Sequence, residues 1–70
     1  MKMSEIERAC AYFEAMAEKV GGNVKVFTNA RGELVMQRRD RLGAGGKSVK
    51  VSLGEPIARF NAKVQAVMGA

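Results

Sequence analysis

Residues 23 to 39 read "NVKVFTNARGELVMQRR", and this stretch decides the fold. β-branched and aromatic side chains flank Asn29-Ala30-Arg31-Gly32, a segment with the residue types of a tight turn. Asn at the first position of a type I turn, with a left-handed Gly at the fourth, is typical of a three-residue hairpin loop with a G1 bulge. The sequence therefore predicts two antiparallel strands, residues 23 to 28 and 33 to 39.

The turn also predicts the register of the two strands. If Asn29 faces Glu33, then Phe27 pairs with Val35. Because successive side chains alternate between the faces of a sheet, the residues divide into two sets. One face holds Val24, Val26, Leu34 and Met36, and the other holds Lys25, Phe27, Val35, Gln37 and Arg39. We expect the first, apolar face to form a wall of the core.

A helix is predicted before the hairpin. Ser4 and Glu7 form a capping-box pair, so the helix should begin at Glu5, and the glycines at 21 and 22 should end it. Its apolar residues recur at spacings of three and four, giving a buried face of Ile6, Ala9, Cys10, Phe13, Ala17 and Val20. We therefore expect Cys10 to be a small core residue in a reducing compartment and not a reactive thiol.

The remainder of the chain predicts a loop, a third strand and a second helix. Residues 40 to 47 are expected to form a mobile loop, and residues 48 to 53, "SVKVSL", alternate as a strand does. Glu55-Pro56 suits the first turn of a helix, where a missing amide is harmless and a carboxylate is favoured. The buried face of this helix is predicted to be Ile57, Phe60, Val64, Val67 and Met68.

The predicted architecture is a single α+β domain, residues 1 to 70, in the order α-β-β-β-α. Two helices should pack on one face of a three-stranded antiparallel sheet. A chain of this size buries only about 60% of its unfolded surface, so its stability should be marginal. With no His and one Cys, we expect no cofactor, metal site or internal disulfide, and a homodimer is one way to gain stability.

Positive charge is concentrated in the second part of the chain. Residues 1 to 22 carry three cations and four acids, whereas residues 23 to 70 carry nine cations and three acids, within a net charge of +5. This asymmetry favours an anionic partner, either nucleic acid or an acidic protein surface. No long apolar run or signal-peptide core is present, so we expect a soluble, cytoplasmic protein that does not contact membranes.

Residues 38 to 50, "RRDRLGAGGKSVK", contain a Gly-Lys-Ser that resembles part of a phosphate-binding loop. That loop requires glycine where Arg41 stands and a helix afterwards, whereas a strand is predicted here. The sequence therefore argues against nucleotide hydrolysis. The segment still predicts a flexible cationic loop suited to anions, with Arg38, Arg39, Arg41, Lys47 and Lys50 spaced around Gly43, Gly45 and Gly46.

The second candidate surface is the sheet face opposite the helices. Phe27 and Val35 are predicted at its centre, with Lys25, Gln37, Arg39 and Lys50 around them. An aromatic ring among cations on a sheet is how single-stranded nucleic acid is bound. A protein contact centred on Phe27, including a sheet-to-sheet homodimer, explains the patch equally well. A further alternative is that a chain end or the loop covers Phe27.

The predicted element order and length are similar to those of a double-stranded-RNA-binding domain. That family places a Lys-Lys-x-Ala-Lys cluster at the start of the last helix, where residues 55 to 63 of this chain read "EPIARFNAK". The resemblance is one of topology, and a shared topology does not transfer function.

Two hypotheses follow, both for a non-enzymatic binding module, because the sequence lacks His and has no carboxylate pair placed for catalysis. The leading hypothesis is nucleic-acid binding through Lys25, Phe27, Val35, Arg38, Arg39, Arg41, Lys47 and Lys50. The alternative is a protein-binding inhibitor or adapter, of the compact sort that phages and mobile elements encode against host machinery. It would use the same surface against an acidic or apolar partner.

Overall fold

A computed structural model of the protein describes residues 4 to 42 and 46 to 69. The elements are helix α1 (Glu5–Lys19), strands β1 (Val24–Thr28) and β2 (Leu34–Arg38), a 3-10 turn (Arg39–Arg41), strand β3 (Ser48–Lys50) and helix α2 (Ile57–Met68). The strands form one antiparallel sheet in the order β1-β2-β3. The predicted α+β class and the order α-β-β-β-α are confirmed.

The hairpin turn sets the register as predicted. The Asn29 carbonyl accepts the Gly32 N–H at 3.0 Å, and the Asn29 N–H donates to the Glu33 carbonyl at 3.0 Å. Gly32 has φ of 77°, a left-handed conformation that favours glycine. The Asn29 side chain fixes the turn further by accepting the Glu33 N–H at 3.0 Å. Phe27 consequently lies opposite Val35, and every other pair of β1 and β2 matches the predicted alignment.

Helix α1 begins and ends where the sequence predicts. The Ser4 hydroxyl accepts the Glu7 N–H, and the Glu7 carboxylate accepts the Ser4 N–H, each at 3.1 Å, which completes the capping box. At the other end the Gly22 N–H donates to the Ala17 carbonyl at 2.8 Å and closes the last turn. The chain then enters β1 directly.

The core lies between the two helices and one face of the sheet. It contains Val24, Val26, Leu34, Met36 and Val51 from the sheet region, Phe13 and Ala17 from α1, and Phe60, Val64 and Val67 from α2. The rings of Phe13 and Phe60 stack with their centroids 5.0 Å apart, so the two helices contact each other through an aromatic pair. Cys10 is half-buried at the margin of this core.

The ends of the predicted apolar stripes are exposed, which corrects the sequence analysis. Ile6, Val20 and Ile57 were predicted to be buried, but all three are exposed in the structure. A five-residue strand is about 17 Å long, whereas a 15-residue helix is about 22 Å long, so the sheet covers only the middle of α1. Ile57, at the start of α2, lies with Val20 in an open groove between the two helices and is exposed for that reason.

The third strand is shorter than predicted. It ends at Lys50, although the Val51 N–H still donates to the Leu34 carbonyl at 2.9 Å. The chain then turns, with the Glu55 N–H bonded to the Ser52 carbonyl at 3.1 Å. Leu53 lies in this turn and is 64% exposed, so the prediction that it continues the apolar edge of the strand is wrong.

Each helix places a charged side chain on the edge strand beneath it. Glu14 of α1 accepts the Val26 N–H of β1 at 3.0 Å. Lys63 of α2 donates to the Lys50 carbonyl of β3 at 2.7 Å. In the observed register both backbone groups point away from β2, so they would otherwise lack a strand partner. Charged groups at these positions also oppose pairing with another chain.

Glu55 stabilises the turn between β3 and α2. Its side chain is only 1% exposed, and its carboxylate accepts the Ser52 N–H at 3.1 Å and the Lys63 ammonium at 2.7 Å. The hydrogen bond from Lys63, reinforced by that from Ser52, lowers the pKa of the Glu55 carboxyl below its usual value. Glu55 is therefore a structural carboxylate that is ionised in the folded protein at neutral pH.

We expect Glu55→Gln to flatten the acid side of the stability curve. Because folding lowers the pKa of Glu55, its contribution to the free energy of unfolding is present above the unfolded-state pKa, about 4.3, and is lost as the pH falls through the folded-state pKa. Urea unfolding at a series of pH values should show the variant less stable than wild type at neutral pH and less sensitive to acid. Glu18→Gln, which removes an exposed carboxylate, serves as the control. Parallel curves for wild type and Glu55→Gln would contradict the assignment.

Gly22 lies where the end of α1 meets α2. A Cβ added at Gly22 would lie 2.6 Å from Val64 Cγ1 and 3.1 Å from the Ala17 carbonyl oxygen. We therefore expect Gly22→Ala to lower the free energy of unfolding by about 1–3 kcal/mol through overpacking. Gly54→Ala is the matched control, because nothing lies within 4 Å of its added Cβ. Thermal or urea unfolding that ranks both variants equally would show that this close approach is absent.

Candidate functional site

The sheet face turned away from the helices, here called the outer face, carries two rows of side chains. The register places Phe27, Val35 and Lys50 in one row and Lys25, Gln37 and Ser48 in the next. The alternation of side chains across a sheet puts both rows on the same side. The structure therefore brings together four of the residues that the sequence predicted as a site: Lys25, Phe27, Val35 and Lys50.

The outer face is less open than predicted. Val35 is 7% exposed and Gln37 is 9% exposed, while Phe27 is half-buried. Val35 is not part of the core cluster on the helix side. With Phe27 opposite it, it forms a small apolar centre on the outer face. The expectation of an exposed apolar pair is thus corrected, since only part of the Phe27 ring reaches solvent.

The connection from β2 to β3 turns back over the outer face. Gln37 donates its amide Nε2–H to the Gly46 carbonyl at 2.8 Å, which explains why Gln37 is buried. A Cβ added at Gly46 would lie 2.5 Å from the Arg41 Cβ, so the two sides of the connection are in close contact. The predicted mobile loop therefore begins within a 3-10 turn, Arg39–Arg41, and Arg39, which was predicted to end the second strand, is the first residue of that turn. Residues 43 to 45, which include two of the predicted loop glycines, lie outside the described residues.

Arg38 lies on the helix side of the sheet, apart from the other predicted site residues. Its Nη1 donates to the Met68 carbonyl at 3.3 Å, and its Nε bonds Asp40 Oδ1 at 2.7 Å. A cation at this position satisfies a carbonyl at the C-terminal end of α2. The predicted register already implies this position, because Leu34, Met36 and Arg38 are spaced two residues apart and therefore lie on the same face of the sheet.

Glu14 holds two of the predicted cations. Its Oε1 lies 3.0 Å from Arg39 Nη2, and its Oε2 lies 3.8 Å from Lys25 Nζ. The Glu14 side chain is 20% exposed, whereas those of Lys25 and Arg39 are each 46% exposed. Glu14 was not among the site residues predicted from the sequence. Nothing in the local pattern distinguishes it from the other glutamates of α1, because its role depends on contacts with β1 and with the 3-10 turn that follows β2.

The outer face and the two ends of the sheet carry four further cations, of which one forms an ion pair among the described residues and three do not. Lys50 Nζ lies 3.0 Å from Glu33 Oε2. Hydrogen bonds lower the pKa of the Glu33 carboxyl, and the bond from the Asn29 amide has a larger effect than the bond from Lys50. Within residues 4–42 and 46–69, three exposed cations of the second part of the chain have no carboxylate partner: Arg31, Arg41 and Lys47. Uncompensated positive charge therefore stands at both ends of the sheet.

A second surface lies between the helices. A groove of about 290 Å³ is lined by Tyr12, Met16, Lys19, Val20, Ile57 and Asn61. Tyr12 and Ile57 are both more than half exposed. This groove was not predicted from the sequence, because the helical periodicity placed Val20 and Ile57 on buried faces. A hydrophobic period indicates which face of a helix is apolar, but it does not show how far the neighbouring elements cover that face.

A second concavity, of about 410 Å³, lies between α1 and the edge of β1, with Cys10 in its wall. Burial, followed by the nearby Glu14 carboxylate, raises the pKa of the Cys10 thiol. The thiol is therefore protonated at neutral pH and is a weak nucleophile. Among the described residues no cluster of His, Cys, Asp and Glu side chains could hold a metal ion.

Neither α1 nor α2, the helices of the part described here, is long and apolar enough to cross a bilayer. Comparison of the chain with protein-family models, with curated proteins and with solved structures gives no match.

Proposed function

We propose that this chain is a non-enzymatic cytoplasmic module that binds nucleic acid through its outer face and the adjoining connection from β2 to β3. The observation that supports this proposal most is the grouping of cations around one aromatic ring. Lys25 and Phe27 neighbour each other on β1, and Lys50 lies in the same row as Phe27. Arg41 and Lys47 extend the positive charge beyond the end of the strands.

The distribution of charge favours an extended polyanion over a single small anion. Arg31 lies in the hairpin turn, and Arg41 and Lys47 lie beside the opposite end of the sheet. Strands of this length separate the two ends by about 17 Å. A single phosphate cannot contact both ends, whereas the backbone of a nucleic acid can follow the strands from one to the other.

Phe27 is suited to one contact with one base. Phe27 is half-buried, so only the exposed part of its ring is available to stack on a base. Stacking on an aromatic side chain does not depend on base identity, because every base has a π-face. We therefore propose binding without strong sequence preference, with phosphate contacts supplying most of the affinity.

Lys47→Ala is expected to weaken binding to all single-stranded oligonucleotides to a similar degree. Because Lys47 has no carboxylate partner among the described residues, its loss should reduce the slope of log K against log salt by about 0.7. Fluorescence anisotropy with a labelled oligonucleotide over a salt series measures both effects. Lys19→Ala removes the same charge from α1 and should change neither. Absence of binding by wild type at low salt, or equal effects of the two variants, would contradict the proposal.

A second candidate function is binding of another protein, in the role of an inhibitor or adapter. The groove between the helices favours it, because large apolar side chains are exposed there and not on the outer face. The surface proposed for a protein partner is therefore different from the one that the sequence suggested. A second copy of this chain is the first partner to test, because the groove is lined by one charged residue, Lys19, and is therefore a surface where two copies of net charge +5 repel each other least.

Ile57→Ser is expected to weaken self-association through this groove. Ile57 is 60% exposed within the groove, and Leu53, outside it, is 64% exposed, so Leu53→Ser is a control of matched exposure. Light scattering over a dilution series should show a dimer for wild type and Leu53→Ser at concentrations where Ile57→Ser is monomeric. A monomeric wild type at every concentration, or equal behaviour of the two variants, would rule out this interface.

A further inference from the structure

We propose that Glu14 is an internal counter-ion that competes with nucleic-acid phosphates for Arg39 and Lys25 and so limits the affinity of the outer face for polyanions. This inference rests on the function proposed above. Glu14 belongs to α1, in the helical layer behind the sheet, and does not contact the ligand itself.

The carboxylate of Glu14 is fixed in position by contacts to both of its oxygens. Oε2 accepts the Val26 N–H at 3.0 Å, and Oε1 bonds the Arg39 guanidinium at 3.0 Å. The Val26 amide holds one carboxylate oxygen at the edge of β1, so the position of the carboxylate does not depend on its ion pairs with Lys25 and Arg39. It reaches from α1 around the edge of the sheet to Lys25 of the outer face and to Arg39 of the adjoining 3-10 turn.

A carboxylate and a phosphate make the same kind of contact with a guanidinium group. Glu14 therefore occupies one of the sites on Arg39 where a phosphate oxygen would bind. Both cations remain partly exposed, and ion pairs of this kind are weak in water. A backbone with several phosphates can displace the carboxylate, because its other phosphates are held by Arg41, Lys47 and Lys50. An isolated anion lacks those additional contacts and competes poorly.

Glu14 differs from Glu33, the other carboxylate that pairs with a cation of the outer face. Glu33 belongs to the hairpin and contacts Lys50 from within the sheet layer. Glu14 belongs to α1 and also satisfies the Val26 amide of an edge strand. Release of Arg39 and Lys25 by Glu14 therefore leaves the edge of β1 capped, and the fold need not change when the ligand binds.

The test compares Glu14→Gln with Glu18→Gln. Both variants change the net charge by the same amount on the same helix, and Gln at position 14 keeps an oxygen that can accept the Val26 N–H. In fluorescence anisotropy with a single-stranded oligonucleotide, Glu14→Gln should bind about fivefold more tightly than Glu18→Gln at low salt. Its slope of log K against log salt should be steeper by up to about 1.4, because two more cations become available to phosphates.

A second comparison isolates the proposed pair. In an Arg39→Ala, Lys25→Ala background, the gain from Glu14→Gln should disappear, since the cations that it releases are absent. Circular dichroism and thermal unfolding verify that each variant is folded. Equal affinities of Glu14→Gln and Glu18→Gln, with binding by wild type, would overturn the role of Glu14 and leave the proposed function standing. Absence of binding by wild type and every variant would overturn both.

Discussion

The hydrogen bonds of the Asn29 to Gly32 turn are the constraint on which the rest of the structure depends. They align β1 with β2, and the alignment decides which side chains face the helices. A slip of one residue would turn one strand over relative to the other, so either Val26 or Met36 would leave the core and Phe27 or Val35 would enter it. The core between sheet and helices and the cationic outer face are therefore two consequences of one short turn. The Asn29 side chain also accepts the Glu33 N–H and so adds a side-chain hydrogen bond to the backbone bonds of the turn.

The sequence was sufficient to predict the features that depend on local signals. The capping box at Ser4, the left-handed Gly32 and the alternation from Val24 to Met36 each have a short-range physical cause, and each was confirmed. The features that it missed depend on contacts between distant elements. The way the two helices pack against each other decides that Ile57 is exposed, and the packing of a loop decides that Gln37 is buried. No pattern within a single helix or strand contains either quantity.

The candidate site shows the same division. The register correctly grouped Lys25, Phe27, Val35 and Lys50 on one face, and carried to the end of β2 it also places Arg38 on the other side, as the structure does. The part played by Glu14 could not be predicted, because this residue belongs to a helix that follows its own period. Its carboxylate joins two tasks that would otherwise be separate: it satisfies an amide at the edge of the sheet and it neutralises cations on the outer face. The hydrogen bond that caps the sheet edge and the ion pairs with two cations thus share one side chain.

The most direct test of the central claim, that the outer face binds nucleic acid, is a titration of the ¹⁵N-labelled protein with a single-stranded oligonucleotide, followed by amide chemical shifts. Binding at the outer face predicts that the amides of Lys25, Phe27, Lys47 and Lys50 move together in proportion to the ligand added, whereas those of Tyr12 and Ile57 stay in place. Shifts confined to the groove between the helices, or the absence of any shift at low salt, would contradict the claim.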